Sequence, residues 1–107
     1  MVTILPDFKE GGRWIVTKKI DGVTHHTVSG RMWDAMRNRC VGEATKRRQP
    51  RYINCTYDFP CFQNFTEWHR IQVGYSKGFA LDKDIIGNGT IYSETTCVLV
   101  PQQINNI

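Results

Sequence analysis

Two aspartates near the end of the chain have the spacing of a small cation site. Asp82 and Asp84 lie two positions apart in the segment LDKDIIGNG, so in an extended backbone both carboxylates point to one face and Lys83 points to the other. Two carboxylates on one face can hold a hard divalent cation such as Mg²⁺. The alternative is a loop in which Asp84 and Asn88 make local turn hydrogen bonds and Lys83 is solvated. Composition alone favours the loop.

Positive charge is concentrated in one stretch of the sequence. The chain has a net charge of +4, with 14 Lys and Arg against 10 Asp and Glu, and the stretch from Arg31 to Arg51 holds seven basic residues against two acidic ones. A local excess of this kind is typical of contact with phosphates or another acidic partner, and the alternative is a solvated loop. The candidate phosphate-binding residues are Arg37, Lys46, Arg47, Arg48 and Arg51.

Other common catalytic signatures are absent from the sequence. There is no glycine-rich phosphate loop, no G-x-S-x-G and no H-E-x-x-H. His25 and His26 are adjacent, so in a strand they point to opposite faces and cannot chelate one ion together. We interpret both of them and His69 as structural or surface residues. The aromatic residues at helical spacing could stack on bases, but that spacing favours a core role.

Length and cysteine content limit the class of protein. A chain of 107 residues predicts one domain, and no apolar run approaches the length of a membrane span. The four cysteines occur without a CxxC pair and without a recognisable signal peptide. We therefore expect a soluble intracellular protein with buried, reduced thiols rather than disulfides or a zinc site.

The elements that must position these residues can be predicted from local patterns. Arg13–Ile20 and Val23–Val28 read as two strands joined by an Asp21-Gly22 turn of type I′. Ser29 is the predicted cap of an amphipathic helix, whose apolar positions are Met32, Trp33, Met36 and Cys40. The polar run GEATKRRQPR that follows predicts an exposed loop.

The second half predicts one more helix and several short strands. Tyr52–Tyr57 is a short β-prone segment, and Pro60 can open a helix with an aromatic side. Gly74 and Gly78 bracket a turn. Strands are predicted at residues 79–81, 90–92 and 97–100, with a glycine turn at 87–89 and a final helical turn after Pro101. The expected fold class is α+β, a small single domain over residues 1–107 with a β-hairpin and two helices.

These residues, taken together, carry a resemblance. Over residues 28–107 the chain resembles the small HNH-type, homing-endonuclease-like proteins of bacteriophages, and the hairpin before them is less distinctive. As a set the matching motifs are fairly specific, although each is weak alone. The matches are Met32-Trp33, Met36, Arg39-Cys40, Pro50, Tyr52, Cys55-Thr56, Phe62, Asn64-Phe65, Trp68, Leu81–Ile85, Gly87-Asn88, Tyr92 and Cys97–Asn106.

The resemblance implies a fold, a partner and a cofactor. The implied fold ends in a ββα-metal element, the implied partner is DNA, and the implied cofactor is one divalent cation, Mg²⁺ or a similar ion. Such a protein would act in the cytoplasm of the infected bacterial host, away from membranes. Relatives often continue into a second small DNA-binding domain, so the sequence raises the expectation of a truncation after residue 107.

The site residues follow from the resemblance position by position. Asp82 matches a metal ligand of the first strand, and Asn105, or its neighbour Asn106, matches the metal ligand of the last helix. Thr96 takes the place of the middle asparagine. Lys83 stands where the family has the histidine that serves as general base, so Lys83 or Asp84 would have to replace it.

Three functions remain open from the sequence. The first is a metal-dependent HNH-like nuclease that uses Asp82, Lys83, Asp84 and Asn105. The second is a relative without catalysis, which binds DNA or binds and inhibits a host protein. The third is a structural domain whose basic stretch is solvated.

Overall fold

Short strands and helices build a small α+β fold, in which four strands precede the first helix. The computed structural model describes residues 3–48, 54–83 and 90–101. Within them, β1 pairs antiparallel with β2, β3 with β4, and β6 with β8, whereas β5 and β7 are parallel. The elements are β1 (Lys9–Glu10), β2 (Arg13–Trp14), β3 (Thr17–Ile20), β4 (Val23–His26), α1 (Val28–Val41), α2 (Glu43–Arg48), β5 (Thr56–Tyr57), α3 (Phe62–Arg70), a 3₁₀ turn (Tyr75–Lys77), β6 (Ala80–Asp82), β7 (Ile91–Tyr92) and β8 (Val98–Val100).

The predicted hairpin is confirmed around its turn, but the first strand predicted over Arg13–Ile20 is divided into β2 and β3, and the return strand is shorter. Asp21 has φ 50° and Gly22 has φ 80°, the pair of positive values that a type I′ turn needs. Ile20 and Val23 are register partners on either side of the turn. The return strand ends at His26, because Val28 already belongs to α1.

Helix α1 forms as predicted but with a different cap. Its N-cap is Thr27, whose hydroxyl accepts a 3.0 Å hydrogen bond from the Gly30 N–H, so the prediction of Ser29 as cap was wrong. Serine and threonine can both cap a helix. Thr27 is the cap here because Ser29 lies inside the first turn, where its N–H and hydroxyl donate hydrogen bonds to Asp7.

The predicted exposed loop after α1 is instead largely helical. Residues 43–48 form α2, which begins at Glu43. The polar composition misled the prediction, because Ala, Lys and Arg are strong helix formers and Glu43 complements the positive end of the helix dipole. Exposure was predicted correctly for Glu43, Arg47 and Arg48. Predicted features in 49–53, the glycine turn at 87–89 and the final turn after Pro101 lie outside the described residues.

Helices α1 and α3 contribute most of the buried aromatic core. Phe65 has no exposed surface, and its ring centroid lies 5.5 Å from that of Trp33, 5.1 Å from Phe59 and 6.1 Å from Trp68. Trp33, Phe62 and Trp68 are each only 8% exposed, so the prediction of a core role over base stacking is supported. The described residues include no helix with the length and apolar character needed to cross a membrane.

Three of the four thiols pack as the sequence predicts. Cys40, Cys55 and Cys97 are buried, and the Sγ atoms of Cys40 and Cys55 lie 3.0 Å apart. Cys61 is exposed, because it is the N-cap residue of α3, so the burial prediction was wrong there. Burial raises the pKa of Cys97 to about 11, so at neutral pH its sulfur is a thiol rather than a thiolate.

We expect Phe65→Ala to lower the free energy of unfolding by about 3–5 kcal/mol, because it leaves a cavity among the rings of Trp33, Phe59 and Trp68. Urea unfolding followed by circular dichroism measures the change. Ile71→Ala, at a side chain that is 80% exposed, is the control and should change stability by less than about 0.5 kcal/mol. Equal losses in the two variants would contradict the assignment of Phe65 to the core.

Thiol titration provides a second test of the core. With a thiol reagent at neutral pH, Cys61 should react quickly, and the other three cysteines should react only when the protein is unfolded. Cys61→Ser should remove the fast phase and leave the slow phase unchanged. Rapid reaction of two or more thiols in the folded protein, or near-stoichiometric zinc by elemental analysis, would contradict the assignment of three buried free thiols.

Candidate functional site

Strands β6 and β8 bring the two halves of the predicted motif together. Asp82 is the last residue of β6 and is paired in register with Val98 of β8. Asp82 and Lys83 are buried, with 8% and 5% exposure. The Lys83 ammonium lies 5.5 Å from the centroid of the Tyr92 ring, a cation–π contact. The first strand of the motif therefore ends in a buried acidic and basic pair beside Tyr92.

The structure describes one of the two predicted metal ligands. Asp84 and Asn105 lie outside the described residues, whereas Asp82 is placed at the end of β6. Among the described residues, no group of three or more His, Cys, Asp or Glu side chains could hold a metal ion. Of the two predicted metal ligands, Asp82 and Asn105, the described residues therefore contain Asp82 alone.

The predicted phosphate-binding residues are exposed wherever the structure describes their side chains. Arg37 lies on α1 with its guanidinium carbon 5.9 Å from the centroid of the Trp33 ring, and Arg47 and Arg48 lie on α2. Lys46 belongs to α2, but its side chain is outside what the structure describes, as is all of Arg51. Three arginines on two consecutive helices are therefore exposed, and each is accessible to a phosphate.

A cleft on the other side of α1 was not foreseen from the sequence. It has a volume of about 400 Å³ and lies between α1 and the segment from the 3₁₀ turn to β6. The α1 wall comprises positions i, i+3, i+4, i+7 and i+11, which follow one face of a helix. These residues are Val28, Arg31, Met32, Ala35 and Arg39. The facing wall includes His69, Tyr75, Gly78, Phe79, Ala80 and Leu81.

Arg39 connects this cleft to the predicted motif. Its guanidinium donates a 3.1 Å hydrogen bond to the Tyr92 hydroxyl, and Tyr92 is the residue whose ring lies under Lys83. Arg31, by contrast, is exposed at the cleft, and none of the described carboxylates forms an ion pair with it. The two cleft arginines therefore differ in how firmly the protein holds them.

A buried hydrogen-bond network supports the cleft wall from behind. The Asp7 carboxylate accepts hydrogen bonds from the Ser29 N–H (2.9 Å), the Ser29 hydroxyl (2.7 Å) and the Tyr75 hydroxyl, and the Arg70 guanidinium lies 4.0 Å away. The Ser29 oxygen is also 2.7 Å from Nδ1 of His69. Because the serine has one proton and donates it to Asp7, His69 must donate from Nδ1.

The charge states of this network suit support rather than catalysis. Burial lowers the pKa of His69 to about 4, an effect that the nearby Asp7 charge partly offsets, so its imidazole is neutral at pH 7. Burial, followed by the hydrogen bond to Asp7 and its charge, raises the pKa of Tyr75 to about 12, so the phenol keeps its proton. Ser29 has no exposed surface and cannot reach a substrate. The interpretation of His69 as structural therefore fits, while a surface position is wrong because the residue is 1% exposed.

The other two histidines make simple contacts. The His26 Nε2 atom lies 2.9 Å from an Asp34 carboxylate oxygen, and the His25 Nδ1 atom lies 3.1 Å from the Thr3 carbonyl oxygen. Sequence spacing could not reveal the Asp7 network, because its members lie up to 68 positions apart and match no motif. The cleft had a detectable signal: Arg31, Ala35 and Arg39 recur every four residues along one helix face.

Comparison of the chain with protein-family models, with curated proteins and with solved structures finds no match. The resemblance to HNH-type phage proteins stays a prediction from the sequence motifs.

The lowered pKa of His69 predicts acid sensitivity. The unfolded chain takes up a proton near the ordinary pKa of 6.5, whereas the folded chain does so only near 4. The stabilisation is therefore complete above pH 6.5 and is lost as the pH falls from 6.5 to 4, by about 3 kcal/mol. Urea unfolding at several pH values should show this loss in wild type and a shallower slope in His69→Asn. His25→Asn is the control, and equal slopes in wild type and His69→Asn would contradict the assignment.

Proposed function

We propose that this protein is a DNA-binding, HNH-like protein of a bacteriophage, acting in the cytoplasm of the infected host. The observation that carries the proposal is the β6–β8 pairing, in which Leu81 and Asp82 lie opposite Leu99 and Val98. An antiparallel pair with an aspartate at the end of its first strand is what the ββ part of a ββα-metal element requires. The resemblance supplies the rest of the element, including the helix that would hold Asn105.

The DNA contact in this proposal is made by the exposed arginines of the two consecutive helices. Arg37, Arg47 and Arg48 are exposed and can approach phosphates, and Arg37 also contacts the buried Trp33 ring. The sequence pattern adds Lys46 and Arg51 to these candidate phosphate-binding residues. Each phosphate neutralised by such a residue releases counterions, so binding of this kind is strong at low salt and weakens steeply as salt rises.

The proposal also includes cleavage of the bound DNA. Cleavage requires Mg²⁺ or a similar ion bound through Asp82 and Asn105, with Lys83 or Asp84 in the place of the usual base. The contact of Lys83 with the Tyr92 ring favours Asp84 over Lys83 in this role, because the ring attracts the lysine side chain through its positive charge. Asp84 is then the residue on which turnover depends.

The burial of Lys83 also favours a second candidate function. A relative that keeps the fold and the basic surface without a working base would bind DNA without cutting it, or would bind and inhibit a host protein. In both cases the exposed arginines make the contacts.

A gel assay with supercoiled plasmid at low salt tests binding and cleavage together. Wild type should shift the plasmid. The variant with Arg37, Arg47 and Arg48 all changed to Gln should bind at least about tenfold more weakly, and the slope of log affinity against log salt should be shallower by about 3. The matched control changes Arg13, Lys18 and Lys19 to Gln, because these residues are also exposed and lie on the N-terminal strands. Equal loss in the two triple variants would contradict a specific basic surface.

The same gels separate the two candidate functions. Nicking that needs Mg²⁺ or Mn²⁺, stops with chelator and is lost in Asp82→Asn indicates a nuclease, provided that Asp82→Asn keeps the wild-type circular dichroism spectrum. A shift without nicking indicates a DNA-binding relative without turnover. Absence of both contradicts the proposal of DNA binding and directs the search to a host protein by pull-down.

A further inference from the structure

We propose that the cleft between α1 and β6 binds a nucleoside monophosphate unit, with the phosphate on Arg31, in the positive field that Arg39 adds, and the base against the apolar wall. The inference goes beyond the proposed function, because neither the predicted metal ligands nor the arginines of α2 line this cleft. It rests on the charge, the shape and the rigidity of the cleft walls.

The charge of the cleft fits a phosphate group. Arg31 and Arg39 lie on one face of α1, separated by about 12 Å along the helix axis. Guanidinium groups bind phosphate through two parallel hydrogen bonds, and they keep their charge at every physiological pH. The Asp7 carboxylate lies behind the facing wall, where Ser29, Tyr75 and Arg70 compensate its charge. The wall that a ligand meets is therefore cationic on α1 and neutral at His69 and Tyr75.

The apolar part of the cleft fits a planar base. Met32 and Ala35 line it on α1, and Phe79 and Leu81 line it opposite. An aromatic side chain such as Phe79 can stack on any base, with little preference for its identity. The volume of about 400 Å³ lies in the range of about 300–1,000 Å³ that small-molecule sites occupy. Inorganic phosphate alone would leave most of this apolar surface uncovered.

The walls are held in place before any ligand binds. Arg39 is anchored to the Tyr92 hydroxyl, and Tyr75 and Ser29 are anchored to Asp7. A preformed site loses less conformational freedom on binding than a mobile one. Gly78 contributes to the opening because it has no side chain, and its left-handed backbone (φ 69°) disfavours any other residue at this position.

Titration of deoxyadenosine monophosphate into ¹⁵N-labelled protein tests this proposal. We expect saturable shifts of backbone amides confined to α1, His69, Tyr75 and residues 78–81, and at least about tenfold weaker binding of both deoxyadenosine and inorganic phosphate. Binding of either fragment as tight as that of the nucleotide would overturn the proposal, as would shifts spread over α2 or the absence of shifts at millimolar nucleotide.

Three variants locate the phosphate and the base. Arg31→Gln should weaken binding about tenfold, the usual loss when one charge-assisted hydrogen bond is removed. Arg37→Gln is the matched control, because Arg37 is an exposed arginine of the same helix outside the cleft, and it should change affinity less than twofold. Ala35→Leu fills the cleft without changing charge and should abolish binding while the circular dichroism spectrum stays unchanged. Equal losses in Arg31→Gln and Arg37→Gln would show nonspecific attraction and overturn the site.

Two sources could supply this ligand, a free nucleotide or the end of a DNA strand. A trinucleotide with a 5′-phosphate, compared with the same trinucleotide ending in a 5′-hydroxyl, distinguishes them. Tighter binding of the phosphorylated trinucleotide than of the mononucleotide assigns the cleft to strand ends, and weaker binding assigns it to free nucleotides. Binding of the 5′-hydroxyl trinucleotide as tight as that of the mononucleotide would show that the phosphate is not recognised and would overturn the proposal.

Discussion

The geometry of the cleft depends on a buried carboxylate whose charge needs hydrogen-bond donors in place of water. The Asp7 side chain is 1% exposed, and transferring a carboxylate out of water costs several kcal/mol unless donors replace the water. The donors come from the first turn of α1 through Ser29 and from the 3₁₀ turn through Tyr75, with Arg70 of α3 close by. Three segments distant in the sequence are thereby fixed around one charge, and two of them form the walls of the cleft.

The same constraint explains why a histidine next to an acid and a serine is not a catalytic group here. The Ser29 hydroxyl is committed to Asp7, and His69 donates to Ser29 rather than accepting its proton. Burial keeps the imidazole neutral by lowering its pKa, which removes the cost of a second buried charge. The residue types of a hydrolase triad are therefore present, but their hydrogen bonds run from His69 to Ser29 to Asp7, an arrangement that stabilises the fold.

Local patterns predicted most of the elements, and tertiary contacts decided what those patterns missed. The Asp21-Gly22 turn and the aromatic face of α3 were predictable because backbone conformation and helical period leave a local signal. The choice of Thr27 over Ser29 as cap was not, because it depends on Asp7, which lies 22 positions before Ser29. Helix α2 was missed because polar composition was given more weight than helix propensity. At the site, the exposure of Arg37 was predictable, whereas the burial of Asp82 and Lys83 was not.

Tyr92 contacts both the predicted motif and the cleft residue Arg39. This contact distinguishes the role of Arg39 from that of Arg31. The Tyr92 hydroxyl accepts a hydrogen bond from Arg39, and the Tyr92 ring contacts the Lys83 ammonium. A substitution at Arg39 therefore changes the surroundings of Lys83 as well as the cleft, so its effects on the two sites would not be additive. Arg31 has no such contact with Tyr92 among the described residues, so its charge acts on the cleft without passing through the motif. The basic stretch thus holds three kinds of arginine. Arg37, Arg47 and Arg48 are exposed and suited to a phosphate backbone, Arg31 is the cleft residue open to a ligand, and Arg39 couples the cleft to the β6–β8 pair.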